Sequence, residues 1–122
     1  MAYYMAFCHA CIDRNIEEAA KIIAEEDFEI NEVMDSSDYG DDYDETTYLH
    51  ITMERNIPEV VKNLLANETI YLDIAPEHKY TTALFRACGK HHLECIKLFL
   101  NDERCTANIV NMQDHCNETA FT

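Results

Sequence analysis

Three stretches of this chain are copies of one pattern, and no other feature of the sequence restricts the fold as much. The pattern runs from Thr47 to Leu65; moved back 41 positions it lies without a gap on Ala6 to Ala24, and moved forward 35 it lies on Thr82 to Leu100. Chemistry recurs in columns: Glu18, Glu59 and Glu94; Lys21, Lys62 and Lys97; Ile23, Leu64 and Phe99. A unit this short cannot bury its apolar face alone, so the spacing points to stacked helical pairs, each covered by its neighbour.

Within each copy the apolar spacing predicts two short helices. The first helices cover about Tyr3–Asp13, Tyr48–Glu54 and Ala83–Gly89, and the second about Ile16–Glu25, Pro58–Ala66 and Leu93–Asn101. Asn15-Ile-Glu-Glu18 and Asn56-Ile-Pro-Glu59 read as capping boxes, with Pro58 in the first turn where its missing donor does no harm. Two glycines, two prolines and no tryptophan favour helices over a turn-rich sheet protein.

A chain of 122 residues with 48% hydrophobic content is one core-forming domain. No apolar run reaches the roughly 20 residues of a membrane helix, and the first residues lack the basic region of a signal peptide. The expectation is an intracellular protein, cytoplasmic or nuclear, with no membrane insertion. The formal charge of −15 is mostly local: Glu25 to Glu45 holds 11 acidic residues and no Lys or Arg, while the rest carries 13 acids against 9 bases. No nucleic-acid partner is expected from that balance. In the 41-residue register Cys11 shares a column with Thr52 and Ala87, and Cys95 one with Ala19 and Val60. These small or apolar partners make the cysteines core filler in a reducing compartment.

Thr47-Tyr-Leu-His50 and Thr82-Ala-Leu-Phe85 resemble the T-P-L-H opening of the ankyrin repeat, followed by its small residue at Thr52 and Ala87. Val110 to Phe121 resembles that family's hairpin turn running into a further opening at Thr119. The family's unit is about 33 residues; the three connections here are longer by 8, 2 and 4 residues. Tyr48 and Ala83 replace the family's proline, Asn56 and His91 its inter-helix glycine, and Ala6-Phe-Cys-His9 keeps only the histidine. The resemblance implies an all-α ankyrin-repeat solenoid in one domain. Its parts would be a first unit over about 3–34, an acidic extended connection over about 35–45, a second unit over 46–78, a third over 79–113, and the start of a fourth over 114–122. Because the sequence given stops in an opening turn, further repeats beyond Thr122 are expected, and the chain reads as the N-terminal piece of a longer protein.

The acidic connection from Met34 to Glu45 superficially resembles a calcium loop, with Gly40 sixth if Asp35 is first; the twelfth place then falls on Thr46, where a bidentate glutamate is required. A solvated extension, or a contact loop using Tyr39 and Tyr43, fits better. Cys8, His9 and Cys11, and His91, His92 and Cys95, are far apart in the register and do not make one tetrahedral zinc site. His9 and His50 sit where the resemblance places histidines that tie neighbouring hairpins together. No glycine-rich phosphate loop or strained nucleophile turn is present, so no enzymatic activity and no cofactor is expected.

In this register Arg14, Arg55 and Lys90 form one column at the ends of the first helices. By the resemblance those helices line a concave groove, so the column reads as a ladder of cations about 10 Å apart, suited to acidic side chains of an extended peptide. The function expected is non-enzymatic recognition of a partner protein or extended peptide, as an adaptor, scaffold or inhibitor. Alternatives are the regulatory N-terminus of a larger enzyme or channel, or a small metal-binding protein. Candidate contacts are Arg14, Glu54, Arg55, Arg86 and Lys90 in the groove, and Tyr39, Tyr43, Asp44, Thr46, His78, Lys79, Thr81, His115 and Glu118 in the hairpins.

Overall fold

In the computed structural model, which describes residues 3–35, 45–75, 81–114, 116 and 118–121, the apolar faces of the repeated segments close on one another as three helical pairs. The pairs are α1 (Tyr4–Ile12) with α2 (Ile16–Ile23), α3 (Tyr48–Glu54) with α4 (Pro58–Leu65), and α5 (Ala83–Gly89) with α6 (Leu93–Leu100). First helices pack on first helices, α1 on α3 and α3 on α5; second helices do likewise, α2 on α4 and α4 on α6. The architecture is therefore all-α, with the core running between the pairs through Phe7, Tyr48, Leu64, Leu84 and Phe99. Full burial of each such side chain favours folding by about 1.5–3 kcal/mol. Among the described residues no helix is long and apolar enough to cross a membrane.

Threonines open the helices. Thr47 and Thr82 are extended, and each hydroxyl accepts the N–H three residues on, from His50 at 3.3 Å and Phe85 at 3.4 Å. Thr106 does the same for α7 (Ala107–Val110), a short helix the periodicity did not signal. Two two-residue strands, β1 (Met34–Asp35) and β2 (Glu45–Thr46), pair antiparallel, Met34 opposite Thr46 and Asp35 opposite Glu45. They bring together the two ends of the acidic connection, whose middle lies outside the described residues.

The backbone corrects the register of the first pair by one residue. Ala10, Thr52 and Ala87 each accept the N–H five residues on, from Asn15, Ile57 and His92 at 2.8, 3.1 and 3.0 Å. The left-handed residues of the inter-helix turns are Arg14 (φ 54°), Asn56 (φ 58°) and His91 (φ 59°). The first pair thus matches the second at a spacing of 42, not 41. Met5 to Ala10, not Ala6 to Cys11, is the counterpart of Thr47 to Thr52, and Cys11 falls with Met53 and Cys88. The gapless match was misled because Ile16-Glu-Glu18 reads like Ile57-Pro-Glu59, whereas the turn's demand for one left-handed residue fixes the true phase. Cys11 and Cys95 are nonetheless buried, 3% and 0% exposed. Burial pushes their thiols up to about 12 and about 11, leaving both protonated at neutral pH.

Of the two expected capping boxes only one half of the first forms, because the Asn15 N–H goes to Ala10 O. Asn15 Oδ1 accepts from Glu18 N at 3.1 Å, but Asn56 is the left-handed residue before the cap, and Ile57 at the cap position makes no side-chain bond. Asn56 Oδ1 instead accepts the Cys95 thiol at 3.7 Å.

Candidate groove and inter-pair contacts

Arg14, Arg55 and Lys90 do not form the expected ladder. With the register corrected, Arg55 and Lys90 share a position with Asp13, and Arg14 falls with Asn56 and His91. Arg14 reaches across to the next pair instead, its guanidinium donating to Arg55 O at 3.0 Å and Asn56 O at 3.1 Å. This places Arg14 beside Arg55 as a tie between pairs. Arg55 and Lys90 are exposed, and among the described residues neither makes an ion pair.

Arg86 also serves a tie. Its side chain, only 13% exposed, donates to Glu45 O at 2.8 Å and Thr46 Oγ1 at 3.1 Å and pairs with Glu54 at 3.4 Å. One residue of α5 therefore holds the base of the acidic connection and the end of α3. Thr46, expected at a hairpin tip, is 1% exposed and spends its hydroxyl on this contact and on Thr47 O. Thr81 is half-buried, with its carbonyl accepting from His50. Glu118 is exposed and closes a turn on Asp114, whose Oδ1 accepts its N–H at 3.0 Å. Tyr39, Tyr43, Asp44, His78, Lys79 and His115 lie outside the described residues.

The most constrained polar group is His50, 1% exposed between the second and third pairs. Its Nε2 lies 2.9 Å from Thr81 O, so Nε2 carries the proton and donates. Its Nδ1, 2.7 Å from Thr47 Oγ1, then accepts the hydroxyl proton. The neutral ring is fully satisfied, and burial, with the Arg86 charge nearby, pushes its pKa down to about 3. The matching position in the first pair is Cys8; His9 lies on the exposed face of α1.

Sequence reasoning missed further ties, among them Asn31, whose amide donates to Thr69 O and accepts from Tyr71 N, each at 2.8 Å. His92 Nδ1 donates to Met53 O at 2.8 Å, at the position of Ile57 and Asn15. Arg104 donates to Asn67 O at 2.8 Å and to Leu65 O, and its bond to Asp102 holds that carboxyl below the usual range. It thereby satisfies carbonyls at the C-terminal end of α4. A shallow notch of about 440 Å3 lies between these helix ends, with Arg104 and Asp102 in its lining. The only sequence signal for Arg104 was a base just beyond a helix end. Among the described residues, no three His, Cys, Asp or Glu side chains converge as a metal site would require.

Comparison with protein-family models finds no match to this chain, and neither does comparison with curated proteins.

Proposed function

We propose that this chain is a divergent ankyrin-like stack that recognises an extended, acidic segment of a partner protein along its first helices, without catalysis. The observation that carries this reading is the contrast among the basic residues there. Arg14 and Arg86 are used up by bonds to neighbouring pairs, whereas Arg55 and Lys90 occupy one register position in successive pairs, exposed and without ion-pair partners among the described residues. Two cations held at a fixed separation by rigid helices suit carboxylates along an extended peptide. The threonine openings, the left-handed turn residues and the His50 tie support the family resemblance.

The test is fluorescence anisotropy with a panel of extended acidic peptides, followed by charge reversal. Arg55→Glu and Lys90→Glu are each expected to weaken binding of the best peptide at least tenfold, about 1.4 kcal/mol, and to flatten its salt dependence. Binding that survives Arg55→Glu unchanged sinks the groove reading. A chain lacking residues 36–44, in a pull-down beside the intact chain, separates groove binding from binding by the acidic connection.

A further inference from the structure

We propose that the groove of Arg55 and Lys90 is spaced for a polyproline-II segment of the partner, with acidic residues at positions i and i+3. This rests on the groove reading above and adds to it the conformation and charge spacing of the ligand. The two cations stand on the same backbone. Arg55 and Lys90 each cap the C-terminal end of a first helix, with φ −90° and ψ 1° at Arg55 and φ −111° and ψ 5° at Lys90. Equivalent positions in like conformation, on corresponding helices of successive pairs, send both Cα–Cβ bonds out of the stack in one direction. Because α3 packs on α5, the two anchor points lie about 8–10 Å apart, the distance between packed helices.

The neighbouring groups leave this pair of charges open to a ligand. Next to Lys90 stands Gly89, where a Cβ would meet nothing within 4 Å, so the surface there is bare. The matching residue of the second pair, Glu54, is drawn to Arg86 at 3.4 Å, which offsets its repulsion of an acidic segment. The Arg55 carbonyl accepts from Arg14 at 3.0 Å, so that guanidinium adds positive charge at the same place. The row of cations ends there. The first pair carries exposed Asp13 at this position, so two acids are matched and a third is not.

The separation then selects among ligand conformations. A β-strand repeats its faces every two residues, which gives about 6.6 Å for i, i+2 and about 13 Å for i, i+4. Neither spacing fits. A polyproline-II helix has three residues per turn and rises about 3.1 Å per residue, so i and i+3 face one way about 9.3 Å apart. An α-helix reaches about 10.5 Å at i, i+7, but a segment that short is marginal as a helix in water. Arg and Lys side chains meet a poorer spacing only by giving up rotamer freedom and bonding geometry. The ligand chemistry is thus an acidic, proline-containing segment of the pattern Glu-Pro-Pro-Glu, which holds the bound conformation before it binds.

The experiment is fluorescence anisotropy of the full chain with labelled peptides of equal net charge, each carrying one motif between neutral flanks. The motifs are Glu-Pro-Pro-Glu, Glu-Pro-Glu, Glu-Pro-Pro-Pro-Glu, Glu-Gly-Gly-Glu, and an alanine-rich helix with glutamates at i and i+7. Glu-Pro-Pro-Glu is expected to bind about three- to fivefold more tightly than the two mis-spaced proline peptides, the effect of one exposed ion pair. It should also bind more tightly than Glu-Gly-Gly-Glu, which must be ordered on binding. Arg55→Gln and Lys90→Gln should each erase the preference for three-residue spacing. Equal affinities at every spacing, tightest binding by another motif, or a Gly-Gly form tighter than the Pro-Pro form overturns the polyproline-II inference. The groove reading survives that outcome if Arg55→Glu still weakens every acidic peptide. Binding indifferent to Arg55→Glu, or no binding by any peptide, removes both.

Discussion

The two junctions of this stack are built from different chemistry. Between the first and second pairs, rings pack beside the polar ties of Arg14 and Asn31: Phe7 meets Tyr48 edge-on at 4.8 Å between centroids, and Phe28 packs on Tyr48 at 4.5 Å. Between the second and third pairs the ties are polar: His50 to Thr81, His92 to Met53, Arg86 to the β2 strand and Glu54, and Arg104 to the end of α4. Ring packing is indifferent to pH and salt, whereas a buried polar network is valuable only while every member stays satisfied. The first junction should therefore fail by losing volume, and the second by losing a proton balance or a single partner.

The largest effect is expected at the rings. Phe7 is 0% exposed, and Phe7→Ala leaves a cavity against Tyr48 and Phe28, costing about 3–5 kcal/mol. Urea midpoints at pH 7.5 and pH 5 should shift equally, because no titrating group is involved. An effect that grows in acid would break the distinction between the junctions.

At the second junction, Arg86→Ala strips the donor from Glu45 O and Thr46 Oγ1 and leaves Glu54 without its ion pair. The expected cost is about 1–3 kcal/mol, mostly from the unmet carbonyl and hydroxyl, since Glu54 remains 39% exposed and its pairing is screened. Arg86→Lys should recover only part of it, because a single ammonium cannot serve both oxygens with the geometry of a guanidinium. Denaturant titration of the three proteins gives the ordering directly.

His50 supplies the pH signature. In the native chain the ring stays neutral down to about pH 3, whereas an unfolded histidine takes up its proton near 6.5. The unfolded state thus binds more protons between those values, so the contribution is full above 6.5 and falls as pH drops toward 3. The slope is at most about 1.4 kcal/mol per pH unit, which amounts to about 2 kcal/mol lost by pH 5. His50→Gln keeps a donor for Thr81 O and an acceptor for Thr47 but cannot titrate. Its stability should lie below that of the natural chain at pH 7.5, and the two curves should converge toward pH 5. Parallel curves would remove His50 as the source of acid sensitivity.

The sequence made the helices and their pairing readable because apolar spacing repeats in all three copies and an opening threonine, Thr47 and Thr82, in two of them. It did not reveal the phase of the first pair, since Asn15, Asn56 and His91 are all plausible turn or cap residues. Only the backbone distinguishes a left-handed Asn56 from a capping Asn15. The ladder depended on that phase and disappeared with it. Arg86 and Arg104 were hidden for another reason: several of their partners are backbone carbonyls about 40 residues away, which carry no side-chain signature.

The smallest effect sharpens the junction comparison at one backbone position. His91 and Arg14 both hold left-handed φ near 55–60°, where an L side chain costs about 1–2 kcal/mol and glycine almost nothing. Glycine also makes the unfolded chain more flexible, which returns about 0.4–1 kcal/mol of that gain. His91 is exposed, so His91→Gly should stabilise the chain by about 0.5–1 kcal/mol. Arg14→Gly relieves the same strain but loses two bonds to Arg55 O and Asn56 O, so its net change should be close to zero or negative. Thermal melts of the two variants separate the contributions: equal stabilisation would mean that the Arg14 tie adds nothing to the first junction.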